Sequence, residues 1–182
     1  MSEMITVEPY NPEWPALFRD LGVKIRQAIG SGALRVDHIG STSIPGLAAK
    51  PIIDIQISVA AFDPMDPYRL PLEALGFQYR EKNPELTKRY FKEPDRNEER
   101  THIHVRRAGS FSEQFPLLFR DYMRCHPGEA AAYAELKVRL AEQHKRDRLG
   151  YTEAKGSFIW KVMQNADRWA QESGWEPGPS DA

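Results

Sequence analysis

The sequence predicts an α+β protein in which a small mixed sheet with flanking helices is followed by a helical C-terminal third. The run PIIDIQISV at 51–59 is rich in β-branched residues, which favour strands. The run THIHVRR at 101–107 alternates polar and apolar residues, which is typical of a half-buried strand. From Ser112 onward the apolar residues recur at helical spacing instead.

The remaining predicted elements follow from turn residues and apolar spacing. Asn11 and Pro12 suit the start of a first helix, and the GSG at 30–32 suits its end. The charged run EPDRNEER at 93–100 is expected to be an exposed loop. In chain order we expect a strand at 5–10, a helix at 12–29, strands at 33–40 and 51–59, a helix at 68–77, hairpin strands at 77–82 and 86–93, a strand at 101–107, and helices at 111–126, 127–148 and 151–173.

Length and composition are those of one globular domain. The 182 residues are expected to form a single domain at 1–174 and a flexible tail at 175–182. The 25 basic and 26 acidic side chains nearly cancel, so neither nucleic acid nor a membrane is indicated as a partner. No segment resembles a signal peptide or a membrane span, and Cys125 has no internal disulfide partner, so a cytoplasmic location is expected. No pattern indicates an oligomeric state.

The segment IGSTS at 39–43 is the first candidate site because its residues suit an anion. Gly40 permits a close approach of the backbone, and Ser41 and Thr42 supply hydroxyl and main-chain N–H groups. Lys50 precedes the next strand and can reach a phosphate as a point charge. The alternative is a serine-rich turn whose hydroxyls satisfy only their own backbone.

The strand at 51–59 carries two polar side chains on one face. Asp54 and Gln56 are two residues apart, whereas the isoleucines between and beside them point to the opposite face. An acid within a β-branched strand lowers its β propensity, which favours a functional reason for Asp54 over simple exposure to water.

Five longer motifs are YNPEWP, DHIGSTSIPGLAAKPIIDI, RTHIHV, FRDYMRCHP and YTEAKGSFI. Together they resemble the GrpB family, a branch of the nucleotidyltransferase superfamily. The resemblance implies a nucleotidyltransferase-like fold, in which a Gly-Ser turn holds nucleotide phosphates and strand carboxylates bind two magnesium ions. Gly40, Ser41 and Asp54 match that pattern. Gln56 stands where a second carboxylate is expected, and RTHIHV lacks a third.

The loss of a carboxylate removes about one charge from the site, which makes a two-metal mechanism hard to sustain. In the resembling superfamily the third-carboxylate strand lies beside the first, so His102 and His104 would face Asp54 and Gln56. We expect these four residues to be metal ligands, with Asp54 and His104 also catalytic. Such ligands suit zinc, manganese or iron better than magnesium. The alternative is that one histidine fills space and the other binds a phosphate together with Arg106 and Arg100.

The last motif, YTEAKGSFI, places Tyr151 and Lys155 one helical turn apart. The resemblance implies that both reach the site and contact a phosphate or a base. The alternative is a surface helix with a solvated Lys155. His38, which precedes the Gly-Ser turn, is expected to orient that turn rather than to act as a catalyst.

Two functions remain open from the sequence. The first is a nucleotidyltransferase-like enzyme that binds a nucleotide or a phosphorylated small molecule and transfers a nucleotidyl group with a divalent metal, Mg, Mn or Zn. The second is a binding module that keeps the phosphate turn but has a degenerate metal site. In both, the expected phosphate or nucleotide contacts are Gly40, Ser41, Thr42, Lys50, Arg106, Tyr151 and Lys155.

Overall fold

A five-stranded mixed sheet organises the protein, and the computed structural model describes residues 4–94 and 100–182. The strands are β1 (Arg35–Ile39), β2 (Ile52–Val59), β3 (Gln78–Tyr79), β4 (Arg89–Lys92) and β5 (Arg100–Arg107). The helices are α1 (Trp14–Ile29), α2 (Asp66–Ala74), α3 (Phe111–Cys125), α4 (Pro127–His144), α5 (Arg148–Ala154) and α6 (Gly156–Ser173). The predicted α+β class, with its small mixed sheet and helical C-terminal third, is confirmed.

The strand order is β1-β2-β5-β4-β3, and β2 and β5 are the parallel pair. The other neighbouring strands are antiparallel. In the parallel register Asp54 lies opposite His102, and Gln56 lies opposite His104. Because directly paired residues project to the same face of a sheet, this register brings the polar side chains of both strands together.

One face of the sheet is the main hydrophobic core. Its alternating apolar residues, among them Ile55, Ile57 and Ile103, are fully buried against α1 and α2. Fully burying an aliphatic side chain of this size stabilises the fold by about 1.5–3 kcal/mol. The opposite face therefore carries the polar residues of each strand, and α3 covers part of it, since Gln56 contacts the first turn of that helix.

Two predicted elements differ in the structure. The expected strand at 5–10 is reduced to one bridge between Glu8 and Ala49. The helix expected at 151–173 is divided into α5 and α6 at Lys155, next to Gly156, a residue type with weak helix propensity. The expected charged loop lies largely at 95–99, outside the described residues.

The segment at 175–182, for which we expected a flexible tail, forms hydrogen bonds with β1. The main-chain N–H of Ala182 donates to the carbonyl of Val36 at 3.1 Å. The main-chain N–H of His38 donates to the Asp181 carboxylate at 2.9 Å. Since β1 is an edge strand, its unpaired N–H and C=O groups offer these bonds. Among the described residues, no helix is long and apolar enough to cross a membrane.

Candidate functional site

Asp54 of β2 lies between two histidines of β5. Its Oδ1 is 3.1 Å from Nε2 of His104 and 3.5 Å from Nδ1 of His102. The three side chains are only partly exposed, at 26% for Asp54, 21% for His102 and 14% for His104. The expected approach of the two strands and their polar side chains is therefore present.

The histidines also control the charge on Asp54. Burial alone would raise the pKa of the Asp54 carboxyl, but hydrogen bonds from His102 and His104, with their charges, outweigh it and hold the pKa well below its usual range. Burial lowers the pKa of His104, against the opposing effect of Asp54. The result is an ionised carboxylate between two imidazoles.

The donor atoms have the spacing of a metal site. One carboxylate oxygen and one nitrogen from each histidine lie within 4.8 Å of one another. Ligands bound at about 2.0–2.2 Å around a tetrahedral ion are about 3.3–3.6 Å apart, so the separations of 3.1 and 3.5 Å need little adjustment. One oxygen and two nitrogen donors fit zinc or manganese better than magnesium.

The turn after β1 lies against the same carboxylate. Gly40 has a positive φ of 73°, and a Cβ there would come within 2.6 Å of Oδ2 of Asp54. The short 3₁₀ turn that follows uses the N–H groups of Ser43 and Ile44, which donate to the carbonyls of Gly40 and Ser41. The hydrogen bonds within the turn thus do not use the N–H groups of Ser41 and Thr42. These two groups lie at the end of the turn where an anion would approach.

The Thr42 hydroxyl contacts other protein groups and is not available to a ligand. It donates to the carbonyl of Ile52 at 2.9 Å and lies 3.0 Å from Nε2 of His38, and its side chain is buried. Burial lowers the pKa of His38 to about 3, so the ring is neutral and can donate to Thr42. His38 therefore contacts the turn as expected, and only the main chain of Thr42 remains for a ligand.

Two arginines of α3 hold both ends of this turn, which the sequence did not predict. Nη1 of Arg120 donates to the carbonyl of His38 at 3.0 Å, before the turn. Arg124 donates twice to the carbonyl of Ser43, from Nε at 3.0 Å and from Nη2 at 2.8 Å. These contacts explain the arginine spacing in FRDYMRCHP, because residues four apart share one face of a helix.

Three lysines form a cationic group on the helical side of the site. The ammonium groups of Lys155 and Lys50 lie 4.3 and 5.1 Å from the centre of the Tyr151 ring. Lys137, which is buried, donates to the carbonyl of Ala48. Burial, followed by the charges of the neighbouring lysines, lowers the pKa of Lys137 to about 7. The sequence did not identify Lys137, because within α4 it resembles an ordinary surface lysine.

The charge of Asp54 affects the pKa values of two of these lysines. Burial and the charge of Lys50 lower the pKa of Lys155 to about 8, while the charge of Asp54 opposes this shift. Asp54 also opposes the lowering of the Lys50 pKa, which burial causes. The expected proximity of Tyr151 and Lys155 to the site thus has a structural basis, although Tyr151 itself is buried.

Gln56 and Arg106 have partners outside this cluster. The Gln56 side chain is fully buried, and its amide nitrogen donates to the carbonyl of Glu113 at 3.0 Å. Arg106 forms an ion pair with Glu85 at 3.3 Å. The structure thus gives Gln56 a packing contact with α3 and gives Arg106 a carboxylate partner, and neither is among the residues grouped around Asp54.

Comparison with known proteins agrees with this architecture. The chain is 37% identical over 164 residues to the UPF0157 protein BH1888 of Halalkalibacterium halodurans, covering 90% of this chain and 83% of that protein. It is 31% identical over 194 residues to a dephospho-CoA kinase of Mycobacterium tuberculosis, covering 93% of this chain but 47% of that protein. The chain thus spans about half the length of that relative.

Solved structures give the same result. The structure of conserved protein GrpB from Enterococcus faecalis has a TM-score of 0.81 and 32% identity, and the match covers 90% of this chain and 99% of that one. A weaker likeness, with a TM-score of 0.46 and 11% identity over 74% of this chain and 41% of the other, is to the Cid1 poly(U) polymerase, and it says nothing about activity. The family model described as GrpB protein matches residues 4–165. The chain therefore belongs to the GrpB family.

Proposed function

We propose that the protein binds a nucleotide or another phosphorylated small molecule, together with a divalent metal held by Asp54, His102 and His104. The observation that carries this proposal is the approach of one ionised carboxylate, two imidazoles and the three lysines around one turn. None of the described carboxylates forms an ion pair with Lys50, Lys137 or Lys155. A phosphate chain would supply the missing negative charge.

Each part of the site has a chemical role in this proposal. The free N–H groups of Ser41 and Thr42 hold phosphate oxygens, and Lys50 and Lys155 neutralise the phosphate charge. A bound metal would polarise a phosphate oxygen. Gln56 is not included among its ligands, since its amide is used by α3.

Nucleotidyl transfer is the reaction that these groups would serve. An acceptor oxygen attacks the α-phosphorus of a nucleoside triphosphate and forms the new P–O bond. The bond to the β-phosphate breaks, pyrophosphate leaves with the electron pair, and the acceptor proton passes to water. The catalytic assignments to Asp54 and His104 rest on their contact with each other at the point where the phosphates would meet the metal.

A second candidate is a binding module without transfer activity. The observation that favours it is the single carboxylate of the cluster, since two-metal phosphoryl transfer draws on several carboxylates to hold its ions. The phosphate turn and the lysine group would keep their binding role in such a protein.

Thermal shift measurements on tag-free protein test the proposal. The ligands are nucleoside triphosphates, dephospho-CoA, Zn²⁺, Mn²⁺ and Mg²⁺, singly and combined, and dephospho-CoA is included because of the relative that bears its name. Asp54→Asn is the test variant, and Asp20→Asn, at an exposed position of α1, is its control.

The outcomes separate the two functions. Stabilisation that needs nucleotide and metal together, and that disappears only in Asp54→Asn, supports the metal-dependent enzyme. Stabilisation by nucleotide alone, unchanged in Asp54→Asn, supports the binding module. If no phosphorylated ligand stabilises the wild-type protein, both are wrong.

A further inference from the structure

The polar face of the sheet continues beyond the histidines onto β4. Tyr90 is the β4 partner of His104, and Lys92 is the partner of His102. The centre of the Tyr90 ring lies 5.5 Å from that of His102 and 5.4 Å from that of His104. An aromatic side chain thus adjoins both proposed metal ligands on the side away from Asp54.

A shallow cavity of about 530 Å³, wide open to solvent, lies beside Tyr90. It is lined by Tyr79, Arg80, Glu81, Lys82, Asn83, Tyr90 and Lys92. The main-chain N–H of Arg80 donates to the carbonyl of Tyr90 at 2.8 Å, which pairs the two residues across the strands. The lining contains cations from Arg80, Lys82 and Lys92 against one acid, Glu81. Its volume lies within the range of about 300–1,000 Å³ typical of small-molecule sites.

The cavity and the Gly40 turn lie on opposite sides of Asp54. The Gly40 turn follows β1, on one side of β2 in the strand order, whereas Tyr90 lies on β4, two strands away on the other side. Neighbouring strands are about 4.8 Å apart, so about 10 Å separates Asp54 from the β4 backbone. A ligand in the cavity would approach the metal cluster from the side opposite the proposed phosphate site.

We propose that this cavity is a second ligand site, which takes a nucleoside monophosphate as the acceptor of nucleotidyl transfer. The Tyr90 ring, whose centre lies 5.3 Å from the Lys88 ammonium, offers an aromatic contact to the base, and Arg80 and Lys82 offer charge-assisted hydrogen bonds to the phosphate. This inference rests on the proposed function. A hydroxyl oxygen of the acceptor forms the new bond to the α-phosphorus of the bound nucleoside triphosphate, pyrophosphate leaves with the electron pair, and the hydroxyl proton passes to water.

Isothermal titration calorimetry with AMP tests the site directly. AMP should bind the wild-type protein in the presence of a saturating, non-hydrolysable ATP analogue with an affinity similar to that in its absence. Adenosine and inorganic phosphate should each bind at least tenfold more weakly, because each has only part of the recognised chemistry. If the analogue displaces AMP competitively, the two ligands share one site and the proposal is wrong.

Substitutions of residues that line the cavity test whether AMP binds there. Lys82→Ala, at an exposed position, and Arg80→Ala should each weaken AMP binding about three- to tenfold, with ATP-analogue and Zn²⁺ affinities unchanged. Lys24→Ala, on α1 at the opposite face of the sheet, should leave AMP affinity unaltered. Unchanged AMP affinity in both Lys82→Ala and Arg80→Ala overturns the second site. Failure of the ATP analogue to bind the wild-type protein would instead count against the proposed function, and the AMP titrations would still test the cavity alone.

Discussion

Gly40 lies directly against Asp54, so that a Cβ at position 40 would come within 2.6 Å of the carboxylate oxygen Oδ2. The antiparallel pairing of β1 and β2 produces this contact, since Ile39 is the partner of Asp54 and the chain turns immediately afterwards. The proposed phosphate turn and the proposed metal ligand are therefore in direct steric contact. A side chain at position 40 cannot be added without moving one of them.

The first prediction is that Gly40→Ala loses metal and nucleotide binding. At its φ of 73° and ψ of −173° a non-glycine residue costs about 1–3 kcal/mol, and the added methyl group also displaces the Asp54 carboxylate. Gly46→Ala is a matched control, because Gly46 has a φ of 77° but nothing within 4 Å of its added Cβ. Calorimetric titration should find weakened Zn²⁺ binding in Gly40→Ala only. Equal losses in both variants would mean that backbone strain alone is responsible.

The second prediction concerns the metal ligands. His102→Ala and His104→Ala should each reduce Zn²⁺ or Mn²⁺ affinity by at least about tenfold, because each removes one of the three clustered donors. His144→Ala, in the last turn of α4, is the control and should bind as the wild-type protein does. Metal content and calorimetry on tag-free protein provide the measurement. Stoichiometric binding that survives both substitutions would exclude the cluster as the site.

Periodicity and polarity together predict the two central strands of the sheet. The strands at 51–59 and 101–107 were expected within one residue of β2 and β5, because β-branched and alternating runs are much more typical of strands than of helices or loops. The approach of His102 and His104 to Asp54 came from the family resemblance, since no local pattern specifies which strands are neighbours. The two kinds of inference together predict the residues at the centre of the candidate site.

The remaining features depend on contacts between distant parts of the chain. Lys137 belongs to the site only because α4 folds back over Ala48, which is 89 residues away in the sequence. The docking of Asp181 likewise depends on the edge position of β1 and on Arg120. Gln56 was expected to face a metal, but the placement of α3 gives its amide another partner.

The third prediction is that Gln56→Glu destabilises the protein instead of creating a metal site. The substitution turns a buried donor into a carboxylate that faces the carbonyl of Glu113. An unpaired buried acceptor costs about 1–3 kcal/mol, and more when it is charged. Urea denaturation should show this loss, whereas Gln164→Glu makes the same change at an exposed position of α6 and should have little effect. A gain in metal affinity without loss of stability would show that Gln56 can turn toward the cluster.

The fourth prediction is that Arg124→Lys weakens nucleotide binding more than it weakens the fold. The guanidinium donates two hydrogen bonds to the carbonyl of Ser43, and a lysine ammonium cannot reproduce that forked geometry. The end of the turn should therefore lose its fixed position. Nucleotide Kd should rise while the melting temperature changes by only a few degrees. Arg139→Lys, at an exposed position of α4, is the control, and an equal effect there would exclude a positioning role for Arg124.

The fifth prediction is that Lys137 makes the stability of the ligand-free protein rise with pH. Burial, with the charges of Lys155 and Lys50, lowers the pKa of Lys137 to about 7 in the folded state, from 10.5 as the ordinary value. Between these two values the unfolded chain binds the proton that the folded chain has lost, so the free energy of unfolding increases with pH. The destabilising effect is complete below pH 7 and disappears as the pH approaches 10.

Urea denaturation at pH 6, 7, 8 and 9 measures this effect. The free energy of unfolding of the wild-type protein minus that of Lys137→Met should be constant below about pH 6 and should rise from pH 7 to pH 9. Lys161→Met, at an exposed position of α6, controls for the general effect of removing a lysine. A difference that stays flat over the whole range would mean that Lys137 keeps its proton in the folded protein. The Lys137 ammonium would then be fully charged, and its positive charge would have to be added to the charge of the lysine group.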